Sequence, residues 1–255
     1  MFDGIYTGTE TRDPNITDQL LQQYGSYLIY RYFDNVAPGA NGGGWVDPYS
    51  LLYADRYAEQ LWLTVFAKAP EVTLFNWREL ANPKPAPLSG RKAWSAYETS
   101  LAPRDLSGNG YAAIAAQALQ RADAAIADTG APIGLAAYKP AGSYGEDFLH
   151  SFLGNIGIPI ELYADYPAQA ETIFLTEAAA FDPEITSKVE ASLRAGKDVI
   201  ITSGLYAKNS GFANITELQM TGRVVNISRY IGGHGAGSGH DLNDPEVTYP
   251  ILFSE

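Results

Sequence analysis

Pro132-Ile133-Gly134-Leu135-Ala136-Ala137-Tyr138 opens the most regular part of the chain, and the pattern starting here sets the fold class. Ile133 to Tyr138 is a short apolar run with the composition of a buried strand, and Pro140 to Tyr144 reads as a loop. Glu146 to Leu153 follows as a helix and Ile158 to Tyr163 as a second strand. Ile173 to Leu175 is a third. Asp182-Pro183-Glu184 starts a helix with proline in its first turn, Ile185, Val189 and Leu193 form its apolar stripe, and Gly196 stops it. Val199 to Thr202 is a central strand, and Val224 to Ile231 another, ahead of a glycine-rich loop over 232–239. Strands alternating with short helices predict an α/β domain with a parallel sheet.

Upstream, Gly4 to Thr9 is β-prone, Thr17 can cap a helix running to about Tyr24, and Tyr27 to Phe33 is apolar and aromatic enough for a buried strand. Asn35 to Pro48, containing Gly42-Gly43-Gly44-Trp45, is expected as a long loop. Leu51, Ala54, Ala58, Leu61, Trp62, Val65 and Phe66 recur at three- and four-residue spacing, predicting an amphipathic helix that Pro70 ends before a strand over Val72 to Trp77. Three strands and two helices with short connections predict parallel βαβ units. Such a sheet is a poor unit alone, because both faces and both edges need cover. Asn82 to Pro87 reads as a linker or surface loop, and the alanine-rich run Tyr111 to Ala127 as a helix stopped by Gly130 and Pro132.

Composition narrows the function. The chain has 255 residues, enough for one large domain or two modest ones, and a net charge of -12 from 29 acidic and 17 basic residues. That balance argues against a nucleic-acid partner; it is compatible with neutral partners such as sugars, and solubility explains it equally well. The absence of cysteine excludes disulfides, thiolate metal sites and cysteine nucleophiles. No apolar run approaches membrane-spanning length, and Met1-Phe2-Asp3-Gly4 has none of the regions of a signal peptide, so no membrane partner is expected. No cofactor is expected either.

The phrases Pro132-Ile-Gly-Leu-Ala, Gly157-Ile-Pro-Ile-Glu-Leu, Leu175-Thr-Glu-Ala-Ala and Gly196-Lys-Asp-Val-Ile-Ile-Thr-Ser-Gly204 resemble an accessory domain of known enzymes. It is the glutamine-amidotransferase-like domain that follows the (β/α)8 barrel in family 42 β-galactosidases. Tyr53 to Leu80 resembles the last helix and eighth strand of that barrel. The resemblance implies a partial (β/α) barrel, its last strands only, followed by a flavodoxin-like, class I amidotransferase-like parallel-sheet domain. The expected boundaries are 1–100 for the barrel portion, 101–131 for a linking helix and 132–255 for the second domain.

The resemblance also implies where chemistry would lie. In that family an acid/base glutamate follows the fourth barrel strand, expected to fall before Met1, and a nucleophilic glutamate stands on the seventh. With Tyr27 to Phe33 as the seventh strand, its end offers Asp34, an aspartate shorter by one methylene. The implied function is the C-terminal portion of a β-galactosidase-like glycoside hydrolase, inactive alone. A second reading is a non-catalytic module for sugar binding or homo-oligomerisation.

Within the barrel that the resemblance implies, Glu10 and Asp34 follow predicted strands, the end where barrel active sites gather, and glycoside cleavage needs two carboxylates. The bland alternative for Glu10 is an ion pair with Arg12 or Arg31. Trp45, Asp47, Trp77 and Arg78 are expected on the same end, aromatic rings to stack on a sugar and polar groups to bind its hydroxyls, with Arg31 as a further ligand-binding candidate. Trp77 is equally well explained as core. In the second half, Ser203 lies in Thr202-Ser203-Gly204, where Ile201 replaces the first glycine of a nucleophile elbow, so a plain turn is expected over a hydrolase centred on serine. His234, His240 and Asp241 flank a glycine-rich loop that is a poor metal scaffold, and no metal site is assigned.

Overall fold

Two parallel sheets and one short hairpin hold the described strands. The computed structural model describes residues 4–9, 24–48, 54–81, 110–223, 225–227 and 251–253. In chain order the first elements are β1 (Ile5–Gly8), α1 (Gly25–Val36), β2 (Asn41–Val46), α2 (Ala54–Phe66), β3 (Val72–Leu74), a one-turn α3 (Trp77–Leu80) and α4 (Gly110–Ile126). The strands form a parallel three-stranded sheet in the order β1-β2-β3. The fold is therefore α/β, and its first half has the βαβ organisation of consecutive barrel repeats.

Two segments differ from expectation. Tyr27 to Phe33 is not a strand but the middle of helix α1. The helix is apolar on both sides, because Leu28 faces one core cluster with Ile160 and Phe174 while Tyr27 and Tyr30 face another with Ala67. A helix covered on two sides carries apolar residues nearly all round, and a short run of that kind cannot be distinguished from a buried strand by periodicity. Conversely, Asn41 to Val46 is a strand and not part of a loop. Its glycines serve close approach. A Cβ on Gly44 would lie 2.3 Å from Thr64 Cγ2 on α2, and one on Gly43 would lie 2.5 Å from the Glu71 carbonyl oxygen. Glycine in a strand is the residue that lets another element this near.

One face of the first sheet is covered. Val46 packs with Tyr57, Ala58 and Leu61 of α2 and with Tyr111, Ile114, Ala115 and Ala118 of α4. Trp62 Nε1 donates to the Ala118 carbonyl at 2.8 Å, joining the two helices. The alanines of α4 match its helix propensity and let the two backbones approach closely. The opposite face carries Tyr6, whose hydroxyl lies 2.8 Å from Thr73 Oγ1, and Trp45; all three residues are exposed.

The second half comprises β4 (Leu135–Tyr138), α5 (Phe148–Asn155), β5 (Ile160–Tyr163), β6 (Thr172–Leu175), α6 (Ile185–Arg194), β7 (Asp198–Ile201) and α7 (Ser203–Lys208). Its strands are parallel in the order β5-β4-β6-β7, the doubly wound arrangement in which the chain first moves one way from β4 and then the other. Ile173 and Leu175 join Ile185, Val189, Leu205 and Phe212 on one face, while Phe174 joins Ala137, Ile160 and Leu162 on the other. This is the period-two alternation of a strand buried on both sides.

That second face is covered by α5 and by α1 from the first half. Helix α6 is started by Asp182, whose Oδ1 accepts from Glu184 N at 2.9 Å while Oδ2 accepts from Tyr138 Oη at 2.9 Å and Lys188 Nζ at 2.7 Å. Burial would raise the Asp182 pKa, but these donors outweigh it and hold the carboxyl below its usual range. A hairpin of β8 (Val225–Ile227) and β9 (Ile251–Phe253) is antiparallel. The glycine-rich loop with His234, His240 and Asp241 lies outside the described residues. No helix among the described residues is long and apolar enough to cross a membrane.

Candidate functional site

The carboxyl ends of β1, β2 and β3 lie side by side. Thr9 N donates to the Trp45 carbonyl at 2.9 Å, and Phe75 N donates to the Val46 carbonyl at 2.8 Å, so pairing continues to the last residue of each strand. Thr9 is held from below by Thr64 of α2, whose hydroxyl donates to Thr9 Oγ1 at 2.8 Å. Asp47 follows β2 directly and is buried; Gln60 Nε2 on α2 donates to its carbonyl at 3.1 Å. Trp45 of β2 and Phe75 after β3 meet edge to face with centroids 5.3 Å apart. Trp77 is 81% exposed and Arg78 is exposed, both on the one-turn helix after β3.

Tyr57 lies on the α2 side of this strand end. Burial, then the neighbouring Tyr111, then the Asp47 carboxylate raise its phenol pKa far above the ordinary value. The Tyr57 hydroxyl is buried without a hydrogen-bond partner among the described residues. The Tyr57 hydroxyl and Asp47 thus put two buried polar groups at this strand end beside an otherwise apolar core. A groove of about 520 Å³, lined by Val65, Glu71, Gln120 and Asp123 among others, starts at the opposite, amino end of β3.

The sequence candidates divide between this end and another place. Trp45, Asp47, Trp77 and Arg78 belong to the strand ends of the first sheet. Glu10, the next residue after Thr9, lies outside the described residues. Asp34 and Arg31 do not follow a strand, because the segment that carries them is helical. Asp34 Oδ2 accepts from Arg31 Nη1 at 2.8 Å, and Arg31 Nη2 donates to Glu161 Oε1 of β5 at 2.5 Å. Asn35 Nδ2 reaches the same Glu161 oxygen at 2.7 Å. Burial works against the Arg31 charge, but hydrogen bonding and the charge of Glu161, with Asp34, hold its pKa above the ordinary value. These residues form a buried polar junction between the two halves.

Sequence reasoning passed over two acids. Glu161 stands between Ile160 and Leu162 in a buried edge strand, and a lone charge inside such a run is the signal that betrays it. Glu146 has a left-handed backbone (φ 53°), and its Oε2 accepts from Glu177 N at 2.9 Å and from Thr202 Oγ1 at 2.5 Å. A Cβ on Gly204 would come within 2.4 Å of its Oε1. The Glu146 side chain thus fills the turn after β7, where a nucleophile elbow would stand. Thr202 caps α7 by accepting from Leu205 N at 3.1 Å, and Ser203 has no hydrogen bond to a histidine among the described residues. Nothing in the turn supports serine chemistry, and the plain strand-to-helix turn expected there is what the chain makes.

His150, on α5, packs its ring against Phe174 with centroids 5.8 Å apart. Burial, reinforced by the positive charge of Lys139, lowers its pKa to about 4, against smaller opposing effects of Asp147. Its Nε2 has no partner among the described residues. Among these residues no group of three or more His, Asp or Glu side chains is arranged to hold a metal ion.

Comparison with known proteins gives two family matches. Residues 130–226 match the family described as "Uncharacterized protein SSO3021, second domain". No curated protein and no solved structure matches the chain. Residues 1–130 match "Probable glycosyl hydrolase, catalytic domain", a span that contains all three strands of the first sheet together with Asp47, Trp45, Phe75 and Trp77. A match over half of the chain, centred on the sheet whose strand ends carry the carboxylate and the rings, makes this chain a member of that glycosyl hydrolase catalytic-domain family.

Proposed function

We propose that this glycoside hydrolase-related chain supplies the final strands of a sugar-cleaving barrel, acting on β-galactoside-like substrates at the carboxyl ends of β1, β2 and β3. The observation that carries this reading is Asp47, buried at the end of β2, the strand that also carries Trp45 of the Trp45–Phe75 ring pair. If β3 is the eighth strand of a barrel, β2 is the seventh, and Asp47 takes the place sought at Asp34. Glu10, following β1 in the chain, is the second carboxylate. Two carboxylates at neighbouring strand ends can divide protonation of the leaving oxygen from attack or water activation. Trp45 and Trp77 supply apolar faces for a pyranose ring, and Arg78 supplies hydroxyl-binding donors.

The exposed face with Tyr6, Trp45 and Thr73 supports a sheet that needs further strands before it encloses a substrate. The chain alone is therefore expected to bind galactosides without turning them over. Assaying it with chromogenic aryl β-galactosides checks this: no turnover is expected. Robust turnover abolished by Glu10→Gln would contradict the need for further strands.

A second reading has its own observation. Trp45, Phe75 and the strongly exposed Trp77 make an open aromatic surface, which suits a non-catalytic sugar-binding module. The readings separate in any assembly that contains the remaining barrel strands, where only the first expects Asp47→Asn to abolish hydrolysis.

A further inference from the structure

The junction between the halves reaches the strands of the candidate site. Arg31 is buried on α1 and serves four partners from three elements. Its Nε and Nη2 donate to Glu161 of β5 at 3.0 and 2.5 Å, its Nη1 to Asp34 of α1 at 2.8 Å, and Nη1 also lies 3.4 Å from the Ala67 carbonyl after α2. Its Nη2 also lies 3.5 Å from Asn35 Oδ1. Asn35 Nδ2 donates to Glu161 and, at 3.0 Å, to the Leu162 carbonyl. Tyr32 Oη donates to the Lys139 carbonyl at 3.1 Å, and Tyr24 Oη accepts from Ile160 N at 3.0 Å. Helix α1 is thus fastened to the second sheet along its length.

From the same helix the contacts run to β1 and β2. The neighbour of Arg31, Tyr30, donates through Oη to the Asn41 carbonyl at 3.3 Å, and Asn41 Nδ2 donates to Thr7 Oγ1 at 2.9 Å. All three residues are buried. Asn41 begins β2 and Thr7 lies in β1, so the bonds of Arg31 to Glu161 and of its chain neighbour Tyr30 to Asn41 tie both strands to Glu161 through the backbone of α1. Loss of the Glu161 charge leaves buried Arg31 paired only with the partly exposed Asp34 and leaves Nε without its ionic partner, which favours a shift of Arg31 or water entering beside it.

We propose that Glu161 is a positioning residue for the strand-end site of the first sheet. Through Arg31 it fixes α1, and through α1 it fixes the placement of β1 and β2, which lead to Glu10 and Asp47. The second domain is then a brace for the catalytic half, not an independent appendage. The sugar-site part of this statement rests on the function proposed above; the mechanical coupling does not.

Hydrogen exchange on the full chain tests it, comparing wild type with Glu161→Gln and with the uncharged pair Arg31→Met/Glu161→Met. Glu161→Gln keeps the shape and leaves Arg31 with Asp34, on its own helix, as its remaining carboxylate among the partners described. In that variant the amides of Ile5–Gly8 and Asn41–Val46 are expected to exchange about tenfold faster, a local opening cost lowered by about 1.4 kcal/mol. Amides of Asp198–Ile201, in the second sheet but distant in strand order from β5, should be unchanged. The double methionine variant removes both buried charges and leaves only Asp34, whose side chain is about a quarter exposed and can turn to solvent, so it should restore protection in β1 and β2. Loosening confined to α1 and β5, with β1 and β2 unchanged, would overturn the proposal. A separate titration with a β-galactoside isolates the functional premise: faster strand exchange in a protein that binds no galactoside would sustain the brace and refute the sugar reading.

Discussion

His150 illustrates how one side chain reports its surroundings. Its ring is buried against Phe174, and burial with the nearby Lys139 charge lowers its pKa from 6.5 to about 4. In the unfolded chain the imidazole takes up a proton near pH 6.5, whereas in the folded protein it stays neutral until about pH 4. Between these values the unfolded state holds more protons, so stability rises with pH there and is lost as pH falls from 6.5 toward 4. The contribution is on the order of 2–3 kcal/mol. Urea unfolding at several pH values checks it: the difference in stability between pH 7 and pH 4.5 should shrink by about that amount in His150→Phe. An unchanged difference would mean the histidine is not shielded.

The strands and helices of the second half were legible because each has its own local signal. Ile185, Val189 and Leu193 recur with helical spacing, Asp182-Pro183 opens the helix, and Gly196 closes it. The first half was harder, for two physical reasons. Helix α1 is packed on both sides, so its tyrosines and leucine conceal the period of 3.6. Strand β2 is built from glycine, which normally signals a turn but here makes room for Thr64 and Glu71. Trp45, Asp47, Trp77 and Arg78 were picked for their chemistry on loops or strand ends, although the strand that carries Trp45 was itself hidden in its glycines. Glu161 and Arg31 were not legible as partners, since nothing in a sequence pairs residues 130 positions apart. The same glycine gives a prediction for the element: Gly44→Ala should destabilise the chain by about 1–3 kcal/mol, because the methyl collides with Thr64 on α2 and forces helix and sheet apart. Guanidinium unfolding checks it, and Gly44→Ala/Thr64→Ser, which removes the opposing methyl, should recover part of the loss.

At the scale of the whole molecule the two family matches meet at residue 130, yet the structure does not divide there. Helix α1 belongs in sequence to the first match and covers the sheet of the second. The missing cysteine closes amidotransferase chemistry, and Glu146 fills the turn where such chemistry would sit. The brace proposed for the second half and the sugar site proposed at the strand ends of the first half are one account of the whole molecule. The most direct test of its central claim is calorimetric titration of the chain with a β-galactoside, comparing wild type with Asp47→Asn at matched thermal stability. Saturable binding by wild type, weakened at least about tenfold in Asp47→Asn, or about 1.4 kcal/mol, is the expected result. Binding of equal strength in both proteins, or no binding by wild type, would contradict it.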